Sequence, residues 1–356
     1  MQRPDLNRIL AKLFFNASVR IKFYRKLAAL TRHGVLVAES VAELQERYAK
    51  KRNPLALVLE EISARLDGGD KLHQAMQGFI PAEEVMLIDS GITSGKLYKS
   101  LDLAVQLIQA RMKIIGSMRK ALAYPVLLIC ALITLLVVFA RYAMPNYIQI
   151  SNPENWTDGA KFLYRVSCFI DSTAGTILLA ALILSGLLSL ATIKIWTGNL
   201  RVRFDSIPPW SFYRLIIGSL WLFTLAILMK SGIQLSTAIE KMLAIPDTGP
   251  WLKERLQSVL AQLTKGKKLG PALDDSGYQF PTKEIIEDLR IYSRLSNFHS
   301  QLYLIAEEML AEGVEKVKAQ AKVINYCCII TIVYVVSNIV LAMSDIQQQS
   351  GLNMAY

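Results

Sequence analysis

Histidine and cysteine are scarce in this chain, and their scarcity removes several kinds of chemistry at once. Among 356 residues there are three histidines, His33, His73 and His299, far apart in sequence. No HExxH or equivalent spacing pairs them, so no metal centre is expected. The four cysteines include no CxxC: Cys130, Cys327 and Cys328 lie in apolar runs, and Cys168 stands alone. That excludes the disulfide framework of a small secreted domain and predicts thiols buried as small hydrophobes. A GxSxG nucleophile elbow is missing too. The closest approach to a phosphate loop is Gly91-Ile92-Thr93-Ser94-Gly95-Lys96-Leu97. It is one residue short of GxxxxGK[ST] and has Leu97 where a metal-binding hydroxyl belongs. No catalytic, cofactor-binding or metal-ligating residue is therefore expected, and the chain does not read as an enzyme. The opening stretch MQRPDLNRIL lacks a long apolar core, so targeting is expected from an internal span and not from a cleavable signal peptide. The Val-Ile-Thr alternation of strands is also absent, which leaves an all-α reading.

Apolar residues are plentiful: 53% of the chain is hydrophobic and mean hydropathy is +0.32. Three runs approach or reach the 20 or so residues that a bilayer crossing needs. They are 121–140, closed by Arg141, 174–193, closed by Lys194, and 326–343, which carries Asn338. Pro125 is expected in the first turn of the first span, where a missing N–H costs little. A fourth run, 215–229, is only 15 residues long and reads as a buried or interfacial helix.

The net charge of +11 is distributed as a topology signal. Residues 1–120 hold 20 basic against 12 acidic side chains, and 194–325 hold 17 against 13. Residues 141–173 balance at three of each, and the tail after 343 has one acid, Asp345. Arg111, Lys113, Arg119 and Lys120 precede the first span; Lys194, Arg201 and Arg203 follow the second; Lys316, Lys318 and Lys322 precede the third. The positive-inside rule then places the two large segments in the cytoplasm, and 141–173 and 344–356 outside. Without zinc-finger or RNP-like spacing, the positive charge implies membrane lipid and no nucleic acid.

The two large segments resemble each other. The stretch from Leu27 to Gly34 aligns with Leu225 to Gly232, and that from Ala64 to Leu72 with Ala261 to Leu269, at offsets of 198 and 197 residues. Phe79 and Pro81 parallel Phe280 and Pro281, and each pair is followed by a glutamate, Glu84 or Glu284. Each copy ends in an apolar span. Apolar spacing of i, i+3, i+6, i+7 from Ile21, a stop at Gly34, and Pro81 with Glu83 and Glu84 opening a helix make the module helical. Gly91 and Gly95 mark a break between two helices. The expected architecture is two repeated antiparallel helical bundles, at 1–120 and 194–325, plus three transmembrane helices.

The stretch Arg119-Lys120-Ala121-Leu122-Ala123-Tyr124-Pro125 resembles the K-x-A-L-x-Y-P signature of the type II secretion F / PilC family. The pieces Phe23 to Leu30 with Gly34, Gly68-Gly69 before Leu72, and Gly95-Lys96-Leu97 match in order, so the resemblance spans about 20 to 343. The family's G-E-x-x-G-x-L has Ile92 here in place of the acid, and the second copy, at 292–297, has lost the motif. That divergence is similar to the type IVb and conjugative thin-pilus branch. The resemblance implies a multi-pass platform protein of the bacterial inner membrane serving type IV pilus assembly or type II secretion. It further implies a homo-oligomer that binds a cytosolic hexameric ATPase, pilin subunits and other inner-membrane components. Candidate residues for positioning in the membrane or for partner contact are Arg119, Lys120, Tyr124, Pro125, Glu84, Gly91 and Gly95. The rival from another class is a transporter or channel subunit. It would need ionisable groups within several spans, and these spans offer only Asn338, Ser185, Thr134 and similar uncharged residues.

Overall fold

The computed structural model describes residues 14–150, 152–246, 248–293 and 298–353. The opening stretch MQRPDLNRIL, residues 294–297 and the last three residues of the tail lie outside them.

In the first repeat, α1 (Ala17–Arg32) is capped by the Asn16 side chain, which accepts from the Val19 amide. It stops ahead of Gly34, whose φ of +85° a side chain would strain. The helices α2 (Val37–Lys50) and α3 (Leu55–Asp67) and the single turn α4 (Leu72–Ala75) follow. Next comes α5 (Ala82–Thr93), with Glu83 and Glu84 in its first turn. Pro81 keeps an extended backbone and precedes the helix, one residue earlier than expected. Gly95, at φ +68°, separates α5 from α6 (Leu97–Val138), whereas Gly91, expected to share the break, lies inside α5.

Helix α6 runs for 42 residues through Pro125. The expectation that Pro125 opens a span is corrected: the helix before it never ends, so the proline is interior and leaves the Ala121 carbonyl without its helical N–H. A π-helical stretch (Phe139–Ala143) leads into α7 (Met144–Ile150). Then follow α8 (Asp158–Asp171), capped by Thr157, and α9 (Thr173–Thr192), capped by Ser172.

The second repeat contains α10 (Asn199–Phe204), α11 (Trp210–Lys230), α12 (Leu235–Leu243), α13 (Pro250–Leu263), α14 (Leu269–Asp275) and α15 (Lys283–Tyr292). The chain closes with α16 (Phe298–Asn353), 56 residues long. Among the described residues there is no strand; one isolated bridge pairs Gln77 with Ile80.

Residues 1–115 and 194–313 form one compact unit. Its core repeats at the register read from the sequence. Leu27 and Leu225, Ala28 and Ala226, Val41 and Ile239, Leu44 and Met242, and Val58 and Leu256 are buried pairs at an offset of 198. Ala75 with Ala272 and Met76 with Leu273 continue at 197. Gly69 and Gly266 take matching left-handed conformations, as do Gly34 and Gly232. A shared pattern of buried positions and turns is what a duplicated module requires.

Residues 116–193 and 314–356 form the other unit. Its buried cluster joins Phe139, Met144, Trp156, Ala160 and Leu163 to Ile339 and Ala342. The Trp156 and Tyr164 rings meet edge to face at 5.8 Å.

Four helical stretches are long and apolar enough to cross a membrane: Leu97–Gln149, Thr173–Thr192, Trp210–Lys230 and Gln301–Ser344. They differ in surroundings. The most apolar window of Trp210–Lys230 is 78% buried inside the protein, against 6 to 11% for the other three. The short run at 215–229 is thus part of a 21-residue helix packed into the core. The cysteines depart from expectation: Cys130, Cys168 and Cys327 are exposed and Cys328 is half-buried. Cys130 and Cys327 face outward from apolar stretches, where the surface itself is apolar.

Candidate functional site

Glu84 is carried by the first turn of α5, and the fold turns it inward. The Arg20 guanidinium of α1 meets it as a fork, Nε to Oε2 at 3.0 Å and Nη2 to Oε1 at 3.1 Å. The Tyr24 hydroxyl donates to Oε2 at 2.7 Å, and Arg20 also donates to the Phe15 carbonyl at 2.9 Å. Burial pushes the Glu84 carboxyl above the usual carboxylate range, against the opposing pull of Arg20 and Tyr24. Burial also lifts Tyr24 well above an ordinary phenol, which keeps it a hydrogen-bond donor. Next to this trio Arg111 of α6 donates to Glu83. Charge-assisted bonds of this kind fix how α1, α5 and α6 meet.

The second repeat replaces this arrangement. Arg20 falls on Gly218 and Tyr24 on Leu222 at the register of 198. A Cβ on Gly218 would lie 2.7 Å from the Cβ of Pro281, so here the helix packs directly where the first copy inserts a polar trio. The buried charge has moved elsewhere. Asp205 accepts from Arg201 and from Arg255 Nη2, the latter at 2.6 Å, and all three side chains are fully buried. The Arg255 guanidinium stands 3.9 Å from the centre of the Trp251 ring, and Arg201 stands 5.5 Å from it. Burial draws the pKa of both arginines down, with Asp205 opposing.

The outer face of α5 meets the second repeat. Ser90 Oγ donates to the Ser231 carbonyl at 2.7 Å, and Lys241 pairs with Asp89 at 3.4 Å. Farther along, the Tyr303 hydroxyl donates to Gln106 at 3.1 Å. Helix α5, around which Glu84, Gly91 and Gly95 were expected to meet a partner, therefore spends part of its exterior on this chain's own second copy.

The remaining candidate residues are dispersed. Gly91 is buried, and a Cβ there would lie 2.6 Å from the Ser100 Cβ and 3.1 Å from the Leu97 Cα. Gly95 forms the α5–α6 turn. Arg119, Lys120 and Tyr124 are exposed along α6, whereas Pro125 is buried. No three His, Cys, Asp or Glu side chains gather as metal ligands among the described residues. The sequence reading missed Arg20 and Tyr24, which lie 64 and 60 residues from Glu84, and the Arg201–Asp205–Arg255 group. Of these only the i, i+4 spacing of Arg201 and Asp205 was visible in advance.

These features belong to a duplicated helical membrane-protein module, and sequence comparison identifies it. The type II secretion system protein F profile matches residues 23–145 and again 221–344. The second match begins 198 residues after the first, the offset of the buried pairs, and the chain belongs to this family. It is also similar to toxin coregulated pilus biosynthesis protein E of Vibrio cholerae serotype O1 (strain ATCC 39315 / El Tor Inaba N16961). The two are 23% identical over 326 residues, covering 88% of this chain and 91% of that protein.

Proposed function

We propose that this protein is the inner-membrane platform of a type IV pilus assembly machine, with type II secretion as the sister process. The observation that carries the reading is the likeness to a pilus biosynthesis protein over nine-tenths of that protein's length, together with family matches in both halves. The chain acts without catalysing a reaction. Its repeats at 1–120 and 194–325 lie in the cytoplasm and bind a hexameric ATPase. Helices at 121–140, 174–193 and 326–343 span the bilayer, and 141–173 and 344–356 lie outside. The buried ion pairs make each repeat a stiff lever, suited to passing ATPase movement to pilin subunits held in the membrane. Arg119, Lys120 and Tyr124 set the depth of the first span through lipid headgroups, and copies of the chain assemble at the filament base.

A clean deletion in the native host tests this. Surface filaments are scored by electron microscopy and mature pilin is measured in the inner membrane, with complementation. Lost filaments with processed pilin accumulating in the membrane are expected. Normal filaments together with intact secretion would overturn the proposal and send attention to ion flux or substrate uptake by the reconstituted protein.

A further inference from the structure

The stretch from Lys194 to Trp210 is built inside out. In α10 and the turn after it, the fully buried side chains are Arg201 and Asp205, which belong to the ion-paired group over Trp251. The large apolar side chains face outward: Ile195 is 63% exposed, Leu200 63%, Phe204 38% and Ile207 52%, set among the exposed polar residues Lys194, Thr197, Asn199, Arg203 and Ser206. A surface helix in water shows the opposite pattern. The stretch is also firmly held. The Trp251 amide donates to the Lys194 carbonyl at 3.2 Å, the Gly198 amide donates to Glu254 at 3.1 Å, and Arg255 reaches Asp205. Its outward apolar face is therefore a fixed feature of the fold.

Three further observations say what covers that face. Trp196, Phe204 and Trp210 meet as a trio, tilted or edge to face, with ring centres 5.2 to 5.6 Å apart, and the amphipathic tryptophan rings concentrate at the headgroup level of membranes. Lys194 and Arg203 are exposed among the apolar side chains, the complement of an anionic lipid surface. The stretch starts two residues after Thr192, the end of the apolar helix α9. Each residue advances the chain by at most about 3.6 Å, so Ile195 lies within roughly 11 Å of that helix end.

We propose that residues 194–210 lie in the membrane interface as an anchor, with Leu200, Phe204 and Ile207 immersed and Lys194 and Arg203 on anionic headgroups. The anchor lays the second repeat against the bilayer. It rests on α9 crossing the membrane, not on the pilus reading, and the experiment separates the two premises.

Full-length protein with its four cysteines replaced by alanine is reconstituted in phosphatidylcholine vesicles with or without phosphatidylglycerol. Single Leu184→Cys, Leu200→Cys, Ile207→Cys or Glu60→Cys variants carry a fluorophore, and lipids with a nitroxide at the headgroup or deep in the chain quench it. Leu184→Cys in mid-α9 should be quenched by the deep label, and Glu60→Cys on α3 by neither. Leu200→Cys and Ile207→Cys should be quenched by the headgroup label, more strongly with phosphatidylglycerol present. Quenching at 200 and 207 no greater than at 60, with 184 quenched, overturns the anchor. No deep quenching at 184 overturns the membrane crossing on which it rests, and equal quenching in neutral and anionic vesicles overturns the role of Lys194 and Arg203. In the chain with native cysteines, Trp196→Phe should reduce the quenching of tryptophan emission by shallow brominated lipid, and an unchanged signal counts against the anchor.

Discussion

Glu84 and Arg20 face each other across 64 residues of sequence as a two-bond fork, the carboxylate almost fully buried and the guanidinium nearly so. Removing one member of such a pair strands the other charge out of water, a larger loss than the pair's own net worth. Glu84→Ala should therefore lower unfolding stability by about 3 kcal/mol. The double change Arg20→Met with Glu84→Leu should recover most of it. Thermal unfolding in detergent, followed by circular dichroism, reads both. Equal loss in the single and double variants would show that the site is held by packing alone.

The same carboxyl gives a pH dependence of defined sign. Burial holds its proton to a higher pH in the folded chain than in the unfolded one. Across the interval between those two pKa values the folded state binds more protons. Stabilisation from this group is thus complete below the unfolded value and is lost as pH rises through the folded one. Relative to Glu84→Gln, the unsubstituted chain should lose stability as pH rises from the usual carboxylate range into the range above it. Other titrating groups cancel in that difference, so a flat or rising difference contradicts the assignment.

Much of this architecture was legible in the sequence, for reasons that can be located. The Leu27–Gly34 and Leu225–Gly232 copies share turn glycines and buried leucines because both fold the same way, and the offset of 198 survives in core and family match alike. Helix–helix contact needs a pattern only on one side, and the pattern is local. The Arg20–Tyr24–Glu84 trio was invisible because α1 supplies two members and the distant α5 the third, and Arg255 lies 50 residues from Asp205. Cys130 and Cys327 were misplaced because apolar surroundings in sequence signify burial only when the outside is water. Pro125 was misplaced because hydropathy marks where a span begins, not where its helix begins.

Gly270 opens α14 against the backbone of α15. A Cβ there would lie 2.4 Å from the Arg290 nitrogen and 2.5 Å from the Leu289 carbonyl carbon. Backbone cannot swing aside as a side-chain tip can, so Gly270→Ala should destabilise by about 1–3 kcal/mol. Gly116, inside α6, meets nothing within 4 Å, and Gly116→Ala should stabilise by about 0.5–1 kcal/mol through helix propensity alone. Unfolding of the two variants side by side checks the opposite signs, and a shared sign would show that the close approach at Gly270 is not decisive.

Trp210–Lys230 has the length of a span but the surroundings of a core helix. Crossing the membrane would pull Trp221, Leu222 and Leu228 away from the repeat that buries them. It would also move the Lys316, Lys318 and Lys322 cluster to the outer side, against the positive-inside rule. Both costs point the same way, so the chain after α11 should stay on the side where it began. In spheroplasts, with the four native cysteines replaced by alanine, a membrane-impermeant thiol reagent should label Phe162→Cys on α8 from outside. It should reach Lys265→Cys, beyond α13, only after the membrane is opened. Labelling of Lys265→Cys in closed spheroplasts would make Trp210–Lys230 a fourth span and invert the second repeat.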